Sequence, residues 1–144
     1  MEARAAAEYY VLYRLAAQGL HASPGSRTGT DLVACSPGGS RVALLRVHVR
    51  DARGDYGLRA ETVTPARNRA YVFVDFPSDA VGEPVCFVVP GAVVVAALKD
   101  APGWPTGAAR PGLTAYEEAW HLLGLKRAAG VRSSPVSTPS SPVP

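Results

Sequence analysis

Between Glu2 and Gln18 the apolar positions return at helical spacing: Ala5, Tyr9, Leu12 and Ala16 fall on one side, with Leu15 beside them. Alanine is frequent there, and Gly19 follows as a stop signal, so the pattern predicts an opening helix. A short run, Leu20 to Ser23, precedes the turn-rich stretch Pro24 to Gly29, after which Thr30 to Cys35 reads as a strand. Ser36-Pro37-Gly38-Gly39-Ser40 is a turn, and Arg41 to Arg50 reads as the returning strand of a hairpin. On that strand Ala43, Leu45, Val47 and Val49 share one face. The other face begins with Val42 and Leu44 and turns cationic at Arg46, His48 and Arg50.

Asp51 to Arg69 lacks a period and is expected to be a loop, with at most a helical turn near Pro65 to Arg69. Tyr71 to Phe76 and Pro84 to Val89 are nearly continuous apolar runs, the pattern of strands buried on both faces, and are expected at the sheet's centre. Gly91 to Leu98 reads as a short helix. After the linker Ala101 to Gly112, Thr114 to Leu123 reads as a final amphipathic helix, with Thr114 and Glu117 as its capping box. From Ala128 onward Ser, Pro and Val dominate, which predicts a disordered tail over 128–144 behind one folded unit over 1–127. The order of elements predicts an α/β fold: a helix, then a mixed sheet of roughly five strands flanked by helices.

Composition narrows this reading only slightly. A chain of 144 residues with 47% hydrophobic content suits one domain. Its formal charge of +3 permits a nucleic-acid partner without requiring one, and the longest apolar stretch, Val85 to Leu98, is too short to cross a bilayer and is interrupted by Pro90 and Gly91. Acidic Glu2 and Glu8 argue against a secretory signal, so the expectation is a cytoplasmic protein with no membrane association. Cys35 and Cys86 lie in apolar runs without metal-ligand spacing and read as buried free thiols. Trp104 and Trp120 read as packing residues, and His21 and His121 have no partner pattern.

Several polar residues punctuate the strands in a recognisable order. The helix segment Ala7-Glu8-Tyr9-Tyr10, Gly29-Thr30-Asp31-Leu32, Leu45-Arg46-Val47-His48, Tyr71-Val72-Phe73-Val74-Asp75 and Phe87-Val88-Val89-Pro90 together resemble the PD-(D/E)xK nuclease superfamily. The resemblance is to its restriction-endonuclease-like and Holliday-junction-resolvase-like members, and Tyr116-Glu117-Glu118-Ala119-Trp120 is similar to the ending of small bacterial members. The resemblance implies a restriction-endonuclease-like core in which Asp31 takes the place of the metal-binding aspartate and Glu8 that of the helix glutamate. It also implies a magnesium or manganese cofactor, since such ions are held by hard oxygen donors and assist attack on a phosphodiester.

The third strand departs from the family pattern, with Arg46 where Glu or Gln is expected and His48 where Lys is expected. Arg46 has no lone pair for a metal and its charge opposes a dication, so it is expected to lie between Asp31 and Glu8 in the metal's place. The candidate catalytic set is therefore Glu8, Asp31, Arg46 and His48, with Asp31 and Glu8 as metal ligands only if a metal is retained. Arg27, Arg46, Arg50 and Arg53 are the candidate phosphate contacts. These features imply an impaired nuclease-like domain that binds DNA or RNA. The alternatives are a working nuclease using Glu8, Asp31 and His48 with manganese or magnesium, and a non-enzymatic protein-interaction module; homodimerisation is left open.

The residues also admit plainer readings. Arg4 and Glu8 are four apart, the spacing of a solvated helix pair. Asp31 after Gly-Thr suits a turn-closing side chain, and alternating Arg46, His48 and Arg50 suits a strand face turned to water.

Overall fold

The computed structural model describes residues 3–25, 29–51, 54–59, 62–77, 82–105 and 107–125. Arg27, Arg53 and the segment from Ala128 onward lie outside them. Helix α1 (Ala3–Ala17) is followed by β1 (His21–Pro24), β2 (Leu32–Cys35), β3 (Val42–Val49), β4 (Arg69–Asp75) and β5 (Val85–Pro90), then α2 (Gly91–Asp100) and two 3-10 segments, Gly107–Tyr116 and Trp120–Leu123. The strands form one mixed sheet in the order β1-β2-β3-β4-β5. β1, β2 and β3 are an antiparallel meander, β4 joins β3 in parallel, and β5 returns antiparallel to β4. The fold is α+β with an N-terminal helix ahead of a five-stranded mixed sheet.

Side-chain alternation gives the sheet two cores. One face carries Leu45, Val47, Val72, Val74 and Val88, covered by Ala7, Val11 and Leu15 of α1 and by Trp120. The other carries Tyr71, Phe73, Phe87 and Val89, covered by Val94 and Leu98 of α2, Trp104, Leu113 and Tyr56. Both tryptophans are buried in these cores. β4 is buried on both faces because it contributes alternate residues to each layer, as its unbroken apolar run requires.

Four expectations need correction. α1 turns Ala7, Val11 and Leu15 inward and leaves Tyr9 66% exposed, because the small Ala7 lets the helix approach the sheet while tyrosine tolerates water at its hydroxyl end. The middle strand is β3; β5 is outermost, and among the described residues its second edge meets no further strand but an isolated bridge from Phe87 to Glu117. Cys86 is buried but Cys35 only partly so.

The fourth concerns Thr114 to Leu123, which does not form an α-helix. The open edge of β5 competes for its backbone and wins: Glu118 N–H donates to Cys86 O at 2.7 Å, and the Glu118 carboxylate accepts Cys86 N–H at 3.0 Å and Trp120 Nε1–H at 2.9 Å. Glu118 sits at φ 51 to make these bonds, which breaks the helical run, and Glu117 N–H bonds Thr114 O instead of completing a capping box. Arg14 NH2 completes the arrangement 2.7 Å from Glu118. Among the described residues no helix is long and apolar enough to cross a membrane.

Candidate functional site

β2 ends its pairing with β3 at Leu32 opposite Leu45, so among the described residues β3 beyond Leu45 has no strand on that side. Asp31, immediately before β2, supplies the missing acceptor. Its N–H donates to Leu45 O at 2.8 Å, and its Oδ2 accepts Val47 N–H at 2.7 Å, so the side chain continues the ladder by one rung. The carboxylate is therefore fixed at an open strand edge, where groups from both faces of the sheet can reach it.

From the α1 face comes Arg4, whose NH2 lies 2.6 Å from Asp31 Oδ2 and whose Nε lies 3.3 Å from Glu8 Oε2. Burial works against this guanidinium, but its hydrogen bonds and charge contacts with Asp31 and Glu8 outweigh that and raise its pKa further. From the opposite face comes Arg46, with Nε 3.7 Å from the same Asp31 Oδ2, within ion-pair range but beyond hydrogen bonding. Arg46 thus lies beside Asp31 but not between Asp31 and Glu8, the position expected of it. The cation between the two carboxylates is Arg4. The spacing of Arg4 and Glu8 was visible in the sequence as a helix pair; what spacing alone conceals is that Asp31 closes the same guanidinium from another element.

His48 departs from its expected role. Its ring lies at 7% exposure against Tyr71 and Phe73, with centroids 6.1 and 5.7 Å away and interplanar angles of 27° and 28°. Nδ1 is 3.0 Å from Tyr56 O, which only accepts, so Nδ1 carries the proton and Nε2 presents a lone pair. That Nε2 is buried and has no hydrogen-bond partner among the described residues. Burial, reinforced by Arg46 and Arg4 and opposed by the Tyr56 bond and Asp31, lowers the pKa from 6.5 to about 4. His48 is consequently a neutral core residue at physiological pH, with Nε2 buried away from any base role beside Asp31.

Two residues beyond His48, just past the end of β3, Arg50 NH1 lies 3.7 Å from Asp75 Oδ2, and the buried Tyr56 hydroxyl donates to Asp75 Oδ1. Tyr56 belongs to the long crossover from β3 to β4. It pins that crossover at two points, His48 and Asp75, a role invisible in a segment that reads as patternless loop.

The residues present do not fit a hard dication in this arrangement. Asp31 Oδ2 already accepts both a guanidinium and a backbone N–H, Arg4 holds the space between Asp31 and Glu8, and Arg46 adds a second positive charge. Among the described residues there is also no cluster of three or more His, Cys, Asp or Glu side chains arranged for a metal. Comparison with known proteins found no matching family model, no matching curated protein and no matching solved structure.

Proposed function

We propose that this chain is a nuclease-like domain in which guanidinium has replaced the divalent cation, and that it binds nucleic-acid phosphates without hydrolysing them. The observation that carries the reading is Arg4 spanning Asp31 and Glu8 at 2.6 and 3.3 Å. A fixed cation neutralises two converging carboxylates, as a metal would, but offers no coordination site at which water could be activated.

Phosphate binding rests on Arg46 and Arg50. Arg46 lies on β3 and Arg50 directly follows the strand at even spacing from it, and each is oriented by a carboxylate at 3.7 Å, Asp31 for one and Asp75 for the other. Neither guanidinium donates a hydrogen bond among the described residues, so their planar donor forks remain available. Their side chains are 27% and 44% exposed, enough to meet a ligand at the surface. Such contacts would position a phosphodiester backbone without reading its bases.

The test measures retention and cleavage in parallel. Fluorescence anisotropy on labelled single-stranded and duplex DNA is expected to show binding that weakens with salt. Each of Arg46→Ala and Arg50→Ala should reduce the logarithmic salt slope by about 0.7 to 0.9. Gels with magnesium or manganese should show intact DNA; metal-dependent cleavage abolished by Asp31→Ala would overturn the reading.

A further inference from the structure

α1 turns a face to water that carries no charge. Its charged side chains, Arg4, Glu8 and Arg14, are all engaged on its flanks: Arg4 and Glu8 with the Asp31 cluster, and Arg14 with Glu118 at 2.7 Å. Ala7, Val11 and Leu15 are buried against the sheet. On the far side run Ala6, Tyr9, Tyr13 and Ala16, spaced by three, four and three residues, the interval that keeps positions on one helix stripe. Tyr9 and Tyr13 are 66% and 63% exposed. The Tyr13 ring leans on Tyr10 with centroids 6.0 Å apart, and the Tyr10 hydroxyl donates to Pro84 O at 3.4 Å and accepts from Arg14 NH1 at 3.5 Å. The aromatic surface is therefore held in place before any partner arrives, which lowers the entropy lost on contact.

The stripe reads the same in both directions. Val11 is its midpoint, with Tyr9 and Tyr13 two residues to either side and Ala6 and Ala16 five. A two-fold axis at that level brings a second, antiparallel α1 into register with Tyr9 opposite Tyr13 and Ala6 opposite Ala16, on both halves of the contact. Long side chains on a helix lean toward its N-terminus, as Tyr13 does onto Tyr10. Each Tyr9 ring then stands level with Ala16 of the second copy, where a methyl group leaves room, and the two Tyr13 rings meet near the axis. No like charges oppose one another, because the stripe has none. A foreign helix would have to match this symmetry by chance, whereas a second copy of the chain matches it by construction.

The area is sufficient but small. Four tyrosine rings burying roughly 150 Å² each, with the alanines and half-buried Leu12 around them, approach roughly 1,000 Å² in total, the lower end of specific interfaces. We propose that the outer face of α1 is the contact surface of a weak, reversible homodimer in which two copies pack antiparallel through Ala6, Tyr9, Tyr13 and Ala16. The contact does not involve Arg46 or Arg50, so its failure would leave the phosphate-binding reading standing.

Sedimentation velocity on the full chain is expected to show a monomer–dimer equilibrium between micromolar and millimolar concentration. The double variants Tyr9→Lys, Tyr13→Lys and Tyr9→Glu, Tyr13→Glu, substituted at exposed positions and checked for the wild-type circular dichroism spectrum, should each stay monomeric because like charges then face each other. An equimolar mixture of the two should dimerise again. In a Cys35→Ser background a short bismaleimide should join Ala6→Cys to Ala16→Cys in mixtures and join neither to itself; buried Cys86, its thiol pushed up to about 12 by burial, escapes the reagent. Three results would overturn the proposal: a wild-type chain that is monomeric at millimolar concentration, a dimer undiminished in either double variant, or cross-linking of Ala6→Cys to itself, which would make the helices parallel.

Discussion

Asp31 Oδ2 receives a backbone N–H from β3, a guanidinium N–H from α1 and, at longer range, the positive field of Arg46. The backbone bond is the reason the carboxylate cannot turn away from the two arginines, so a local device for finishing a strand edge also fixes the electrostatics of the candidate site. At His48 the environment acts in the opposite sense, withholding charge from the side chain. Its folded pKa of about 4 lies below the unfolded value of 6.5, so folding favours the neutral form. For a depressed base the contribution is fully present above 6.5 and is lost as pH falls through about 4, with a maximum of about 3 kcal/mol. Urea midpoints measured from pH 7 to pH 4 should therefore fall more steeply for the wild type than for His48→Gln. Equal slopes would mean that the imidazole gains its proton without resistance from the fold.

Element by element, what could be read from the sequence was whatever depends on local pattern. The β2–β3 hairpin, the twice-buried β4, and the helix after Pro90 follow from alternation, continuous apolar runs and turn residues. What escaped was decided by neighbours distant in sequence. The buried face of α1 depends on how closely the sheet lets Ala7 approach, and the 3-10 ending depends on Glu118 meeting the edge of Cys86. The same applies to the site: Asp31 and Glu8 are legible as carboxylates in a suggestive order, but Arg4 becomes their shared partner only when α1 lies against the β3 edge. Gly91 is a further long-range constraint. A Cβ there would come within 2.5 Å of Thr64 O and 3.2 Å of Arg69 O, so the crossover backbone passes directly over the start of α2. Gly91→Ala, normally favourable inside a helix, is expected here to destabilise by about 1 to 3 kcal/mol in urea unfolding through overpacking. A neutral or stabilising result would show that the crossover yields at Thr64.

For the whole molecule, the contrast between a guanidinium and a dication can be read in stability without detecting any reaction. Anything that binds the folded chain selectively stabilises it by mass action, by about 2.7 kcal/mol when the ligand is at a hundred times its dissociation constant, and so raises its melting temperature. Each kcal/mol moves the midpoint of a domain near this size by several degrees, roughly 4 °C. With Arg4 seated between Asp31 and Glu8, millimolar magnesium or manganese has no anionic pair to neutralise, so the wild-type midpoint should be flat against either ion at constant ionic strength. Arg4→Gln removes the cation but keeps a polar side chain of similar reach, leaving two carboxylates that repel each other. That variant should melt lower in metal-free buffer and regain part of the loss with manganese, whereas Arg4→Gln, Asp31→Asn should not respond. A wild-type midpoint that climbs with the ion, and ceases to climb when Asp31 is replaced, would mean that the dication displaces Arg4, and the guanidinium would then be a gate to a metal centre rather than its substitute.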